Sequence, residues 1–178
     1  LFFGRVSKYK GIDYLLEAWE ETRKQFPDMK LVLAGKGKLW FDQEKYNSDQ
    51  VVWLHRYIEN HELSQLIKYS EFVIAPYTDA THSAVVMTAF AFDKPVLSTN
   101  VGGLPEVVRE GVTGWTIAPK STESLKDKLN ELLSDSNTIS DGQASIGKLE
   151  ESAKELDWSF IRKQYVRLYQ NMIKSSES

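Results

Sequence analysis

The sequence predicts an α/β fold in which a Rossmann-like, doubly wound parallel sheet of about six strands is flanked by helices. Short apolar runs without polar alternation, typical of strands buried on both faces, recur along the chain. Longer stretches with an apolar face at helical spacing separate them, and strand followed by helix in repetition favours a parallel sheet. With 178 residues, 42% of them hydrophobic and 26% charged, the chain has the size and composition of one globular domain.

The elements follow from the residues in chain order. The predicted strands are 1–3, 31–34, 51–54, 72–75 and 95–98, with a weaker sixth at 114–117. The predicted helices are 11–26, 60–69, 83–92, 104–109 and 121–133, the last opening with a Ser-Thr-Glu capping sequence. A polar loop is predicted at 134–142, followed by C-terminal helices at 148–156 and 158–174.

The helix predicted at 158–174 has one apolar face and carries basic residues on the rest of its surface. Packing of that face on the sheet is the simplest interpretation. Contact with another domain or with an anionic membrane surface is the alternative.

Charge and composition exclude several classes of function. A net charge of −3, from 22 basic and 25 acidic residues, gives no basic field for nucleic acid. The absence of cysteine excludes disulfides and thiolate metal sites and fits a cytoplasmic protein. No apolar run approaches the roughly 20 residues of a membrane-spanning helix. Because Leu1-Phe2-Phe3 already forms a predicted buried strand, we expect the sequence to be a domain excised from a longer protein.

The loops that follow the predicted strands concentrate the candidate functional residues. In an open parallel sheet, ligands bind at the carboxyl ends of the strands. Gly4, Arg5 and Lys10 follow the first strand, and Gly35 follows the second. Guanidinium and ammonium groups beside glycines, which let a backbone approach closely, suit a diphosphate.

The loop after the fourth strand, 76–83, is small and polar and leads directly into a helix. Free amides and the positive end of the helix dipole make such a helix start attractive to anions. A second helix start, at 104–106, has Pro105 in its first turn. Together with the basic first loop, these features predict a phosphorylated ligand. The candidate residues here are Asp79, His82, Ser83, Ala84, Val85 and Thr88.

Histidine and tryptophan supply weaker candidates. The spacing of His55, His61 and His82 matches no standard metal site, so no metal site is predicted. His82 alone lies in the predicted ligand loop, as a candidate sugar contact. Trp40 lies in a polar stretch and is the one tryptophan that the core does not readily account for.

Segments 3–11, 33–35, 91–106 and 111–114 resemble, in order and spacing, the C-terminal domain of the family 4 glycosyltransferases, which have the two-domain GT-B fold. The resemblance implies that 1–178 is the nucleotide-sugar-binding domain and that an N-terminal acceptor domain is missing. It also implies that Arg5 and Lys10 are catalytic and bind the donor diphosphate, and that the loop His55 to Ile58, including Arg56 and Tyr57, surrounds the nucleobase.

The same resemblance implies the reaction and its setting. A UDP-sugar is the expected donor, transferred with retention of configuration to a hydroxyl acceptor. Surface polysaccharide or lipid-linked glycan synthesis is the expected setting, with peripheral association at the inner face of the membrane. The isolated domain is expected to be inactive or nearly so.

The sequence departs from the family pattern at two positions. Members of the family usually carry two glutamates eight positions apart, and Ala80 and Thr88 stand there in this sequence. Asp79, Thr88 and Glu106 are candidate substitutes. No two aspartates lie two positions apart, so no Asp-X-Asp metal motif is present and no cofactor or metal is expected. Arg5, Lys10 and helix amides would then stabilise the leaving diphosphate.

Two other classes of function stay open. One is an epimerase or phosphorylase on the same architecture, which would need acid–base residues that this domain does not supply. The other is a non-catalytic nucleotide-sugar-binding module, which the missing carboxylate pair favours. An NAD-dependent oxidoreductase is disfavoured because no Gly-X-Gly-X-X-Gly follows a strand.

Overall fold

The computed structural model of the chain describes residues 1–135 together with Arg162 and Val166, which are both helical. The strands in this part are β1 (Phe2–Phe3), β2 (Leu31–Ala34), β3 (Val51–Leu54), β4 (Val73–Ala75), β5 (Val96–Thr99) and β6 (Gly114–Ile117). The α-helices are α1 (Ile12–Thr22), α2 (Asn60–Lys68), α3 (Ala84–Phe90), α4 (Leu104–Val107) and α5 (Thr122–Ser134), with short 3-10 helices at Lys8–Lys10 and Glu44–Tyr46.

The strands form two three-stranded parallel sheets, ordered β1-β2-β3 and β4-β5-β6. Leu1 joins them, because its nitrogen donates to the Phe72 carbonyl (3.0 Å) and its carbonyl accepts from the Ile74 amide (2.8 Å). The combined order is β3-β2-β1-β4-β5-β6, the doubly wound order of Rossmann-like folds. The predicted six-stranded sheet is therefore present, but it is divided at its centre because β1 is only two residues long.

The core consists of the strands and the helix faces that cover them. All residues of β4 and β5 are buried, as expected for central strands with helices on both sides. Helices α1 and α5 pack against each other, and Leu15, Leu16 and Trp19 share the buried cluster with Leu129 and Leu132. The apolar runs of the sequence thus mark the core correctly.

The helix boundaries reflect local capping. Ser121 accepts a hydrogen bond from the Ser124 amide (3.1 Å) at the start of α5, as its capping sequence predicts. Helix α1 ends at Thr22, four residues before the predicted end. Buried Gln50 stabilises the turns that follow, because its side-chain amide donates to the carbonyls of Phe26 (2.8 Å) and Met29 (3.1 Å).

The loop predicted at 134–142 begins one residue too early, because Ser134 is the last residue of α5. Residues 136–142 and the helices predicted at 148–156 and 158–174 lie outside the described residues, apart from helical Arg162 and Val166. In the part of the chain that the structure describes, no helix combines the length and the apolar character that crossing a membrane requires.

Candidate functional site

The candidate site lies at the carboxyl edge of the sheet, where the strand order reverses between β1 and β4. Two loops meet there, residues 4–11 after β1 and residues 76–83 after β4. The Thr78 amide donates to the Tyr9 carbonyl (2.8 Å), which links the loops directly. Open α/β sheets bind ligands at such a reversal, because the connections from the two neighbouring strands lead to opposite faces of the sheet and leave a crevice between them.

Lys10 is the most unusual side chain of this edge. It is 7% exposed, and no carboxylate among the described residues forms an ion pair with it. Its ammonium nitrogen lies 3.6 Å from the centroid of the Tyr77 ring and 5.0 Å from that of Tyr9. Burial lowers the pKa of Lys10 to about 8. A desolvated cation whose neighbours are mainly aromatic rings gains stability when an anion binds next to it.

Tyr77, which is not among the residues predicted for the site, holds this arrangement in place. The ring is 1% exposed, and its hydroxyl lies 3.1 Å from the Ser83 hydroxyl, which caps α3 by accepting from the Val86 amide (3.4 Å). Burial raises the pKa of Tyr77 to about 12, so it stays neutral. An aromatic residue directly after a buried strand is typical of the core, and no sequence signal distinguishes this one.

A cavity of about 290 Å³ opens beside the first loop, over the ends of β1, β2 and β3. A Cβ atom on Gly35 would lie 1.8 Å from the Gly4 carbonyl oxygen, so only glycine allows these turns to approach so closely. The cavity therefore has a backbone floor. Its lining includes the predicted donor-binding residues Gly4, Arg5, Gly35, Arg56, Tyr57 and Ile58, together with Phe3, Ala34, Lys36 and Leu63.

Arg56 has a structural partner within the protein, which its predicted role in binding the nucleobase does not include. Its guanidinium forms a two-pronged contact with the Glu62 carboxylate at the start of α2. This contact raises the pKa of Arg56 and lowers that of Glu62. Arg56 therefore shapes the cavity wall with its guanidinium already paired, while exposed Tyr57 and half-buried Ile58 present their side chains at the rim.

His55 does not line the cavity but supports it. Its Nε2 atom lies 2.8 Å from the carbonyl oxygen of Gly37, which ties the turn after β2 to the end of β3. Arg5, in contrast, lines this cavity and also a second, larger groove between the first loop and Trp40. Arg5 is exposed and forms no ion pair with the described residues.

The start of α3 contains the other predicted binding residues. Ser83 is buried, Ala84 is exposed, and a Cγ atom of Val85 would lie 3.1 Å from a Cβ atom on Gly4, so this helix start faces the first loop. Asp79 is exposed at the tip of the preceding loop. The hydroxyl of Thr88 donates to the Ala84 carbonyl one turn earlier (2.7 Å), which commits its proton to its own helix.

His82 lies between the loops that follow β4 and β5. The Gly103 amide donates to the Thr81 carbonyl (2.9 Å), and a Cβ atom on Gly103 would come within 3.2 Å of the His82 ring. The imidazole is exposed. Across the described residues, no group of three or more histidine, aspartate or glutamate side chains has the geometry to hold a metal ion.

Comparison with known proteins identifies relatives of this architecture. Residues 1–148 match the family model described as Glycosyl transferases group 1. An uncharacterized glycosyltransferase of Methanocaldococcus jannaschii is 31% identical over 144 residues, which cover 76% of this chain and 35% of that protein. The chain therefore spans about a third of the length of this relative.

Solved structures show the same fold. The C-terminal domain of a glycosyl transferase group 1 family protein, LpcC, from Francisella tularensis has a TM-score of 0.74 at 25% identity, covering 84% of this chain and 83% of that chain. HepE of Anabaena in complex with UDP has a TM-score of 0.76 at 20% identity, covering 96% of this chain and 48% of that chain.

Proposed function

We propose that this chain, which belongs to the group 1 glycosyl transferases, is the donor-binding domain of a transferase that uses a nucleoside diphosphate sugar. The observation that carries this proposal is Lys10, a buried ammonium without a carboxylate partner among the described residues, located where the strand order reverses. A buried charge of this kind is costly in the free protein and suits an anionic ligand.

The geometry supports a specific placement of the donor. The diphosphate would lie between Arg5, Lys10 and the backbone amides at Ala84 and Val85, which the exposed start of α3 leaves accessible. The nucleobase would occupy the cavity above Gly35, with Ile58 at its rim. We propose UDP as the nucleotide, supported by the HepE fold relative, which was crystallised in complex with UDP.

The chemistry proposed is transfer of the sugar to a hydroxyl group of an acceptor. Breaking the anomeric bond leaves negative charge on the departing diphosphate, and fixed cations in a partly dry site stabilise that charge. Arg5 and Lys10 supply these cations. We propose that they act without a metal ion, since the sequence has no Asp-X-Asp motif. Retention of configuration and membership of family 4 belong to the same proposal.

We propose that this chain recognises the donor sugar without the two glutamates that usually occupy positions 80 and 88 in the family 4 glycosyltransferases. Ala80 has no polar side chain, and the hydroxyl proton of Thr88 is used within α3. Asp79 and His82 are exposed polar side chains of the loop 76–83 and remain available for hydroxyl groups of the sugar. We propose these two residues, rather than Thr88, as the sugar contacts.

A non-catalytic nucleotide-sugar-binding module is the second candidate function. The same observation at Ala80 and Thr88 favours it, since no carboxylate occupies either position. For the whole protein, we propose an additional N-terminal acceptor domain and a role in polysaccharide or lipid-linked glycan synthesis. Peripheral association with the inner face of a membrane would accompany a lipid-linked acceptor.

Calorimetric titration of the 178-residue chain with UDP, GDP and ADP, each with and without EDTA, tests the donor site. We expect UDP to bind with or without the chelator. The double variant Arg5→Ala/Lys10→Ala should weaken UDP binding by 100-fold or more, since two charge-assisted contacts of about 1.5–3 kcal/mol each are lost.

The matched control is Lys24→Ala/Lys68→Ala, which removes two positive charges near the carboxyl-terminal ends of α1 and α2, at the opposite edge of the sheet. UDP affinity should stay within about twofold in this control, since distant surface charges are screened by salt. Failure of all three nucleotides to bind, or equal loss in both double variants, would refute the proposed donor site.

A further inference from the structure

A second concave surface lies beside the donor cavity and, apart from Arg5, has no role in the proposed donor placement. It occupies about 660 Å³ between residues 5–9 of the first loop and residues 37–40 of the turn after β2. We name it the basic groove, and its principal side chains are Arg5, Ser7, Lys8, Tyr9, Lys38 and Trp40.

The charge of the basic groove is opposite to that of the chain. All three charged residues that line it are cationic, although the whole chain carries a net charge of −3. Arg5, Lys8 and Lys38 are exposed, and none forms an ion pair with a carboxylate of the described residues. Unpaired cations that converge on a concavity attract anions and disfavour neutral or cationic ligands.

Two aromatic rings are held in fixed positions at the groove. The indole nitrogen of Trp40 donates to the Asp13 carboxylate (3.1 Å), and its ring meets Phe41 edge to face at 5.1 Å. Tyr9 is 45% exposed and packs edge to face on Tyr77 at 6.1 Å. Trp40 is half-buried, so Tyr9 is the more accessible of the two rings. Aromatic rings that are already oriented can cover the apolar face of a sugar with little loss of side-chain entropy.

Ser7 adds an unsatisfied polar group to the same lining. Its hydroxyl oxygen is buried and has no hydrogen-bond partner among the described residues. A hydroxyl without a partner is destabilising, so a small movement that lets it meet a hydroxyl of a ligand would be favourable.

We infer that the basic groove binds an anionic sugar, one that carries a phosphate or a carboxylate group, as a ligand separate from the donor. The anion lies between Lys8 and Lys38, while Arg5 faces the donor diphosphate, and the sugar ring lies against Tyr9 and Trp40. Arg5 lines both the groove and the donor cavity, so the two ligands are neighbours. The identification of this sugar as part of the acceptor rests on the proposed function. The binding of an anionic sugar to the groove does not depend on the proposed function.

Titration by NMR of the ¹⁵N-labelled chain tests the inference, first with UDP and then, at saturating UDP, with glucose 6-phosphate. The amides of Lys8 and Lys38 and the Trp40 indole signal, assigned with Trp40→Phe, should shift with glucose 6-phosphate. Glucuronic acid, which carries a carboxylate in place of the phosphate, should shift the same signals. Glucose and inorganic phosphate, which each lack one half of the ligand, should bind at least about 10-fold more weakly.

The variant Lys8→Ala/Lys38→Ala replaces two exposed side chains and should weaken glucose 6-phosphate by about 10-fold or more while UDP stays within about twofold. Lys24→Ala/Lys68→Ala serves again as the matched control. If UDP fails to bind, the proposed donor site is wrong. The titration with glucose 6-phosphate is then repeated without UDP, and it still tests whether the basic groove binds an anionic sugar.

Three results would overturn the inference. Inorganic phosphate binding as tightly as glucose 6-phosphate would show an anion site without sugar recognition. Shifts confined to Gly4 and Gly35 would place the sugar phosphate in the donor cavity. Shifts at Lys8 and Lys38 with anionic phospholipid vesicles but with neither acidic sugar would make the surface a membrane contact.

Discussion

At the residue scale, the surroundings of Lys10 suit the phosphate-binding role that we propose for it. The Tyr77 ring excludes water from the ammonium, and the resulting desolvation lowers the pKa of Lys10 to about 8. The aromatic face compensates only part of the lost hydration. The side chain therefore holds a proton weakly until an anion arrives, and the diphosphate proposed here would raise its pKa again.

We expect UDP binding to weaken as the pH rises through about 8, because the free protein then loses the Lys10 proton. Calorimetry between about pH 7 and pH 9.5, in buffers of different ionisation enthalpy, should also show proton uptake on binding near pH 8. Lys10→Arg is the control, since a guanidinium stays charged throughout this range. A UDP affinity that is independent of pH in the unmodified chain would contradict the role given to Lys10.

The same pKa shift also changes the stability of the folded state, which rises with pH, whereas UDP affinity falls. In the unfolded chain Lys10 keeps its proton up to its usual pKa of 10.5, whereas the folded chain releases it from about pH 8. Between these values the unfolded state binds more protons, so this group makes the folded state more stable as the pH rises. Below about pH 8 both states are protonated and the penalty of the buried charge is fully present.

At the scale of the elements, the turns after β1 and β2 define the cavity that we propose for the donor. Gly35 has a φ of +149°, and its backbone lies directly against the Gly4 carbonyl. His55 holds the next part of the same turn through Gly37 (2.8 Å). The cavity floor is thus made of backbone atoms. Their position requires that residue 35 has no Cβ atom.

Replacing Gly35 with alanine should lower the free energy of unfolding by about 2 kcal/mol or more, because the new Cβ atom meets backbone that cannot move aside. Gly111→Ala is the matched control, since Gly111 also has a positive φ (+66°) but has no atom within 4 Å of its Cβ position. It should cost only about 1 kcal/mol, the cost of the backbone conformation. Equal losses in urea denaturation would show that the close approach to Gly4 contributes nothing.

Much of the architecture could be predicted from the sequence at the scale of the whole molecule. Strands such as β5 are buried on both faces, so their apolar runs are unmistakable, and the basic residues after β1 lie at the sheet edge as the topology requires. Partnerships between distant residues could not be predicted. The contacts Arg56–Glu62, Lys10–Tyr77 and Trp40–Asp13 depend on how the elements pack, which no local pattern specifies.

A crystal structure of the chain with UDP would show directly whether the reversal of strand order forms a nucleoside diphosphate site. We expect the uracil in the cavity above Gly35 and the phosphates within hydrogen-bond distance of Arg5 and Lys10. UDP bound with its phosphates in the basic groove beside Lys38 and Trp40, or at the opposite edge of the sheet, would contradict this expectation.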